Sequence, residues 1–214
     1  PAISIVDPEL MVSIPPRFTA YQGFDAFFHA AEGYIANCAT PISDLYALEA
    51  IRLLYKYLPA AVADGHDLEA RTNVAWASTL AGMVESTSSC TSEHSMEHAM
   101  SALYPALPHG AGLICLSKAY FETFVDDSKD RYMKMAEVMT SEPAHQAGDF
   151  VDALVKMQKA CGMDQLKLSD WGLKEEDLPE MVQNAKATMG GLFQLDPRML
   201  TDDEILAIYK KSYR

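Results

Sequence analysis

Hydrophobic residues recur along most of this chain every three or four positions, which is the period of amphipathic α-helices. From residue 16 onward this pattern predicts a first helix over residues 23–37 and a second over residues 42–57. Thr40 or Ser43 is the expected N-cap of the second helix, and Pro59 is expected to end or bend it. The first quarter of the chain therefore indicates a helical domain.

The same period continues to the end of the chain. A third helix is predicted from about Asp67 to beyond Leu80, and a fourth over residues 92–104, stopped by the prolines that follow it. The segment "TDDE" at residues 201–204 has the form of a capping box, in which a threonine caps the helix and a glutamate returns to the cap backbone. Further helices are predicted over residues 109–125, 130–139, 146–161, 175–189 and 202–209.

The first residues of the chain follow a different pattern. In "PAISIVDPEL" residues 3–6 predict a buried strand, which ends before Asp7 and Pro8. A single strand must pair with neighbours to be stable, and nothing else in the chain is strongly strand-like. We therefore expect an all-α, multi-helix domain preceded by one orphan strand, whose sheet would lie upstream in a longer protein.

The composition of the chain indicates which partners and which cellular location to expect. The 214 residues are 49% hydrophobic and 22% charged, which is an ordinary globular balance. The formal net charge of −13 argues against nucleic acid as a partner, since a broad basic surface is needed to bind phosphates. We expect no membrane partner, because no apolar run approaches the ~20 residues of a bilayer span, and no secretory signal is visible. Four widely spaced cysteines without a CxxC pair predict a reducing, cytoplasmic location: Cys38, Cys90, Cys115 and Cys161.

Histidines and one aspartate form the candidate chemistry. Asp25 and His29 are four residues apart and share a helix face, and His94 and His98 have the same spacing on another predicted helix. His109 follows after a proline-bounded turn. One carboxylate and two or three imidazoles from separate helices can converge on a divalent metal and leave room for a substrate oxygen. Because such pairs also arise by chance on helices, structural or surface histidines remain the alternative interpretation.

The surroundings of the first pair favour the metal interpretation. Phe27, Phe28 and neighbouring alanines place apolar bulk around Asp25 and His29, so both side chains are expected to be buried. A buried carboxylate needs a partner, and a metal ion is a suitable one.

Other candidate residues have simpler explanations. His66-Asp67 has the form of the paired ligands of a helical metal-dependent phosphohydrolase, but Asp67 at a helix start is most simply an N-cap. His145 lies in a polar connection and is expected to be exposed, and Gly190-Gly191 indicates a turn or helix stop. The chain contains no P-loop, GxGxxG or GxSxG motif.

Four blocks of the sequence resemble the C-terminal half of the iron-dependent (group III) alcohol dehydrogenases. They are "GFDAFFHAAEGYI", "DLEARTNVAWASTLAGM", "HSMEHAMSALYPALPHGAG" and "GGLFQLDPRMLTDDEILAIYKKSY", in matching order. The resemblance implies an all-helical metal-binding domain of the dehydroquinate synthase-like/iron alcohol dehydrogenase fold over residues 18–214. Residues 1–17 would then be a remnant strand and linker from an absent dinucleotide-binding α/β domain.

The resemblance also implies the site and the reaction. Asp25, His29, His94 and His109 match the family's metal ligands, whereas His98 matches a catalytic position near the nicotinamide and substrate that helps to move protons. The implied cofactors are Fe²⁺, with Zn²⁺ also compatible with these ligands, and NAD(P) in the full-length enzyme. The implied activity interconverts a small-molecule alcohol and an aldehyde or ketone, and a homodimer is the implied assembly.

Three departures from the family pattern qualify this interpretation. "ESTSSCTSE" at residues 85–93 is more polar than the usual Gly-rich stretch, so it either lines the substrate channel or forms a solvated loop. "YPALPHG" carries one extra residue, which should lengthen the turn before His109. Motifs that hold NAD(P) phosphates are missing, and we expect the 214-residue chain alone to be inactive as a dehydrogenase.

Three alternatives remain at this level. A polyol dehydrogenase-like or dehydroquinate synthase-like relative would share the fold, but those relatives typically use three protein ligands. The phosphohydrolase that uses His66-Asp67 is the second alternative. The third is a helical interaction domain that binds no metal.

Overall fold

Helices account for nearly all the regular structure in the computed structural model, which describes residues 2–214. Short 3-10 helices lie at Pro8–Met11, Leu168–Trp171, Glu175–Asp177 and Gly190–Gln194. The α-helices of the described residues are α1 (Pro16–Ile35), α2 (Pro41–Ala63), α3 (Leu68–Thr87), α4 (Ser92–Leu103), α5 (His109–Thr123), α6 (Lys129–Thr140), α7 (Gly148–Ala160), α8 (Leu178–Met189) and α9 (Asp202–Ser212).

Each predicted helix corresponds to one of these elements, and the differences lie at the ends. Helix α1 begins at Pro16, seven residues before the predicted start, because a proline is well accommodated in the first turn of a helix. Helix α2 continues through Pro59 to Ala63. Leu58 and Ala61, on either side of that proline, are fully buried, so packing maintains the helix where local sequence favours its end.

The predicted strand at residues 3–6 is wrong for this chain. These residues have no regular secondary structure, and Ile3 and Ile5 are 82% and 88% exposed. A strand is stabilised by hydrogen bonds to a neighbouring strand. Within residues 2–214 no strand is present that could serve as this partner. Pro1 lies outside the described residues. The all-α class is confirmed, whereas the assignment of residues 1–17 to another domain stays a prediction.

The predicted helix caps are confirmed. Thr40 caps α2 and forms a capping box with Ser43, so both candidate residues take part. Thr201 and Glu204 form the second box, at the start of α9. Asp67 caps α3 by accepting a hydrogen bond from the backbone N–H of Ala70 at 3.0 Å. Side-chain caps satisfy N–H groups that have no partner within the helix.

Helix α1 lies at the centre of the domain and packs against α2, α3 and α5. Its aromatic side chains, Phe27 and Phe28, contact Phe121 of α5 and Phe150 of α7 within a fully buried aromatic cluster. With one side of α1 fixed in this cluster, the opposite side presents Asp25 and His29 toward α4 and α5. None of the helices within residues 2–214 is long and apolar enough to cross a membrane.

Helices α1 and α5 come into backbone contact at Gly110, the residue after His109. A Cβ atom at Gly110 would lie 2.9 Å or less from the carbonyl oxygen, carbonyl carbon and Cα of Tyr21. Backbone atoms cannot move aside as a flexible side chain can. Gly110 therefore allows α5 to begin directly against α1, and so places His109 beside Asp25.

We expect Gly110→Ala to destabilise the domain by about 1–3 kcal/mol, because the added methyl group would push α5 away from α1. Gly82 is the matched control, since it also lies within a helix and a Cβ atom added there would have no such neighbour within 4 Å. Gly82→Ala should be neutral or stabilising by up to about 1 kcal/mol. Urea unfolding followed by circular dichroism measures both, and equal midpoints for the two variants would contradict the packing argument.

Candidate metal centre

Four of the sequence-predicted residues meet at one point. Asp25 and His29 come from α1, His94 from α4, and His109 is the first residue of α5. The Nε2 atoms of His29 and His94 each lie 3.4 Å from Oδ1 of Asp25, and Nε2 of His109 lies 3.3 Å from the same oxygen. Three imidazole nitrogens are thus gathered around one carboxylate oxygen.

These separations fit the ligand set of a metal ion. Ligands at the corners of a tetrahedron, each about 2.0–2.1 Å from a central zinc, are separated by about 3.3–3.4 Å. Oδ1 of Asp25 and Nε2 of His94 are buried and have no hydrogen-bond partner. Leaving two such atoms without a partner is unfavourable, and a bound cation would satisfy both. Three nitrogens and one oxygen suit Fe²⁺ or Zn²⁺.

The second ring nitrogen of each imidazole, Nδ1, also has a polar partner. Nδ1 of His94 forms a hydrogen bond with Oε1 of Glu32, and Nδ1 of His109 forms one with Oε2 of Glu97. Both glutamates are fully buried. Nδ1 of His29 instead lies 2.9 Å from Sγ of Cys90.

Sequence analysis missed the two glutamates, although a signal was present. Glu32 follows His29 by three positions and Glu97 follows His94 by three, so each lies on the same side of its helix as a candidate ligand. Glu32 also stands in the otherwise apolar run "AAEGYI". A carboxylate in such a run needs a buried partner, and that requirement could have identified it.

The charges of the cluster shift its pKa values strongly. Burial opposes the charged form of Asp25, yet the neighbouring His109 and His94 hold its pKa well below the usual range. Burial would lower the pKa of His109, but Asp25 and Glu97 raise it to about 9. For His94, burial is likewise outweighed by the Glu32 charge and by Asp25, which raise its pKa. Burial and the neighbouring His94 instead lower the pKa of His29, so the carboxylates favour positive charge at His94 and His109 and not at all three imidazoles.

A cavity of about 190 Å³ opens beside the four residues. His98 lines it with an exposed side chain, and its ring centroid lies 5.3 Å from that of His109. The polar stretch at residues 85–93 divides between the two predicted roles. Glu85, Ser89 and Cys90 line the cavity, whereas the intervening Ser86 and Thr87 face solvent.

The other candidate residues lie elsewhere. His66 and His145 are exposed, and Asp67 is occupied as the N-cap of α3. Neither histidine, nor Asp67, belongs to any of the groups within residues 2–214 whose ligand atoms are close enough to share a metal. This position gives no support to a phosphohydrolase centre at His66-Asp67.

A second carboxyl group fixes the start of α4 from the opposite direction. Oδ1 of the buried Asp196 accepts hydrogen bonds from the backbone N–H of Ser92 at 3.0 Å and from the hydroxyl of Tyr120 at 2.9 Å. Glu32 accepts from the backbone N–H and hydroxyl of Thr91, at 2.8 and 2.9 Å. Acidic groups are favourable at a helix N-terminus, where the backbone N–H groups lack partners within the helix.

The all-α architecture and the cluster of one carboxylate and three imidazoles define a class, that of helical domains with one candidate site for a divalent metal. The family follows from comparison of the sequence. Residues 19–213 match the model described as the Fe-containing alcohol dehydrogenase family, C-terminal, and the chain belongs to this family.

Individual relatives agree with this assignment. The 1,3-propanediol dehydrogenase of Klebsiella pneumoniae is 35% identical across 100% of this chain and 55% of its own length. An NAD-dependent methanol dehydrogenase of Bacillus methanolicus is 32% identical across 99% of this chain and 56% of its own length. The crystal structure of an archaeal halo-thermophilic alcohol dehydrogenase from a Red Sea brine pool, bound to NZQ, matches 99% of this chain and 55% of that one, with a TM-score of 0.94 and 33% identity. The chain spans about half the length of the curated relatives it matches.

We expect Asp196 to make stability depend on pH. Burial raises the pKa of Asp196 to about 7, above the value of about 3.9 for an unfolded chain. Its contribution is therefore fully present below about pH 4 and is lost as pH rises through about 7. Between about pH 6 and pH 8 the native chain should lose about 1 kcal/mol more of its unfolding free energy than Asp196→Asn.

Urea unfolding of both proteins at these two pH values, with EDTA present to remove metal linkage, measures the difference. Comparison with the variant cancels the titration of the histidines, which both proteins share. If the variant shows the same loss between the two pH values as the native chain, the assignment to Asp196 is wrong.

Proposed function

We propose that this chain supplies the metal centre of a metal-dependent, NAD(P)-linked oxidoreductase that interconverts an alcohol and an aldehyde or ketone. The supporting observation is the convergence of three imidazole nitrogens on Oδ1 of Asp25, at 3.3–3.4 Å, in a member of the Fe-containing alcohol dehydrogenase family. The nucleotide-binding part is expected in the remainder of a full-length protein, since the chain spans about half of its relatives.

Asp25, His29, His94 and His109 would hold the metal. When bound, Fe²⁺ or Zn²⁺ supplies a Lewis acid for the substrate oxygen, and NAD(P) supplies the site that accepts or returns the hydride. Iron is favoured by the family's description, while the donor set accommodates zinc as well. Asp25 contributes the negative charge that keeps the three imidazoles around one point.

The cavity beside the centre would bind and orient the substrate. Glu85, Ser89 and Cys90 form a polar side, and Met189 and Leu192 form an apolar side. A small alcohol that carries a second polar group suits such a mixed wall better than an alcohol whose remainder is purely apolar. His98, exposed at the cavity, would take the hydroxyl proton on a ring nitrogen and pass it to solvent.

The alternatives have less support. A polyol dehydrogenase-like or dehydroquinate synthase-like relative would typically use three protein ligands, whereas here Nε2 of His29 lies around the same Asp25 oxygen as His94 and His109. A phosphohydrolase would need Asp67, which the N-cap of α3 already occupies. A metal-free interaction domain offers no explanation for the unpartnered buried atoms of Asp25 and His94.

A cytoplasmic location and a homodimer are further parts of the proposal. All four cysteines are unpaired, which suits a reducing compartment. Light scattering after size-exclusion chromatography measures the assembly state of the purified chain.

Metal content tests the proposed centre. Protein purified anaerobically should contain about one iron or zinc per chain, and Asp25→Asn combined with His109→Ala should contain background amounts. His145→Ala is the matched control, because it removes an exposed imidazole that belongs to none of the candidate ligand groups within residues 2–214. This variant should retain the metal. Background metal in the native chain, or equal retention in the double variant, would overturn the proposal.

The role proposed for His98 predicts a separation between metal binding and turnover. In the full-length protein, His98→Gln should retain the metal content of the native enzyme but lower kcat by at least about 100-fold, because proton transfer is impaired. Elemental analysis and steady-state kinetics measure the two quantities. Parallel loss of metal would instead identify His98 as a ligand, and unchanged kcat would exclude the catalytic role.

A further inference from the structure

Glu97 occupies a site built around its carboxylate. One oxygen, Oε2, forms a hydrogen bond with Nδ1 of His109, and the other, Oε1, accepts one from the hydroxyl of Ser101. A Cβ atom at Gly112 would lie 2.7 Å from Oε1 and 2.8 Å from Cγ of Glu97, so the glycine leaves the space that this side chain fills. Glu97 is fully buried, and a buried carboxylate is stable only when both oxygens have partners.

The contact with Glu97 determines which nitrogen of the His109 ring can bind a metal. Nδ1 carries the proton that it donates to the carboxylate, so Nε2 is the nitrogen that can give up its proton and offer a lone pair to a metal. That Nε2 is the atom 3.3 Å from Oδ1 of Asp25. Because imidazole is rigid, holding Nδ1 against a buried group also fixes the direction of Nε2.

The same arrangement occurs at His94. Oε1 of Glu32 bonds Nδ1 of His94, while Oε2 is held by the N–H and hydroxyl of Thr91. His29 has no glutamate in this position. Its Nδ1 faces Cys90, and Oε2 of Glu85 lies 3.9 Å from that nitrogen on a side chain that is 56% exposed.

We propose that Glu97 and Glu32 are positioning residues of the metal centre, which fix the tautomer and the orientation of His109 and His94. This inference rests on the proposed metal centre and deepens it. It assigns to two buried glutamates the choice of Nε2, and not Nδ1, as the nitrogen that binds the metal. Neither glutamate touches the point on which the four ligand atoms converge, so each acts through its histidine.

Glu97 also lies near His98, and the ligand atoms of Glu97, His98 and His109 are all within 4.8 Å of one another. These three side chains form the competing arrangement, in which Glu97 would itself bind the metal. The two arrangements differ in their dependence on His98 and Asp25. Positioning requires Asp25 and not His98, whereas direct ligation by Glu97 requires His98 and not Asp25.

Zinc affinity of the metal-stripped chain tests the proposal, measured by competition with a chromophoric chelator. Glu97→Gln should bind Zn²⁺ about 10- to 100-fold more weakly than the native chain. Glu97→Asp retains the charge but withdraws it from Nδ1 by one methylene, and it should also bind more weakly. Glu85→Gln is the control, since it removes an exposed carboxylate near His29, and it should change affinity by less than about twofold.

Two further measurements separate positioning from structure and from ligation. Proton–nitrogen NMR of the zinc-loaded chain should show the His109 proton on Nδ1, and Glu97→Gln should alter that signal while its metal-free unfolding midpoint stays near that of the native chain. His98→Ala should keep native zinc affinity, whereas Asp25→Asn should lose it.

Native affinity in both Glu97 variants would overturn the positioning role and leave the metal centre intact. An equal loss of zinc affinity in Glu85→Gln would show that any nearby negative charge has the same effect. That result would also overturn the positioning role of Glu97. Loss in His98→Ala with retention in Asp25→Asn would establish direct ligation instead. A native chain that binds no zinc would overturn the proposed centre itself, together with the role of Glu97.

Discussion

The carboxylate of Glu32 is the contact on which the arrangement of the centre depends. It extends from α1 and accepts hydrogen bonds from the N–H and hydroxyl of Thr91 and from Nδ1 of His94. One buried side chain thereby caps the start of α4 and orients the histidine two residues inside it. Helix α1 carries Asp25 and His29 on the same side, so Glu32 connects the two halves of the ligand set through three hydrogen bonds.

Several buried acidic groups lie in and around α4. Glu32, Glu93 and Glu97 are fully buried, and Asp196 nearly so. Burial raises the pKa of Glu93 well above the usual range and that of Asp196 to about 7, so these two acids favour their neutral forms. Glu32 and Glu97 instead contact Nδ1 of His94 and Nδ1 of His109. A divalent ion at the proposed centre would add positive charge close to these contacts.

Local spacing was sufficient to predict most of the helices and to identify the candidate residues that the structure brings together around Oδ1 of Asp25. Asp25 and His29 are recognisable because a helix brings residues four apart onto one side, and the caps at Thr40, Asp67 and Thr201 are local as well. Residues 3–6 were mispredicted because strand propensity has no effect without a partner strand. The roles of Glu32 and Glu97 were not predictable from spacing alone, since each depends on a contact with a residue on another helix.

Precision in such a centre comes from rigid elements rather than from loops. The four proposed ligand positions lie on three packed helices. Their relative placement depends on groups outside the proposed ligand set: the aromatic cluster that packs against α1, the close approach at Gly110, and the glutamates behind two imidazoles. His29 differs, because Sγ of Cys90 lies beside its Nδ1 where the other two imidazoles have a buried carboxylate. The proposed centre therefore has two imidazoles held by buried carboxylates and a third, that of His29, without such a partner. A ligand that is held less firmly can adjust when a substrate oxygen joins a metal while the other ligands keep their positions, as an open catalytic site requires.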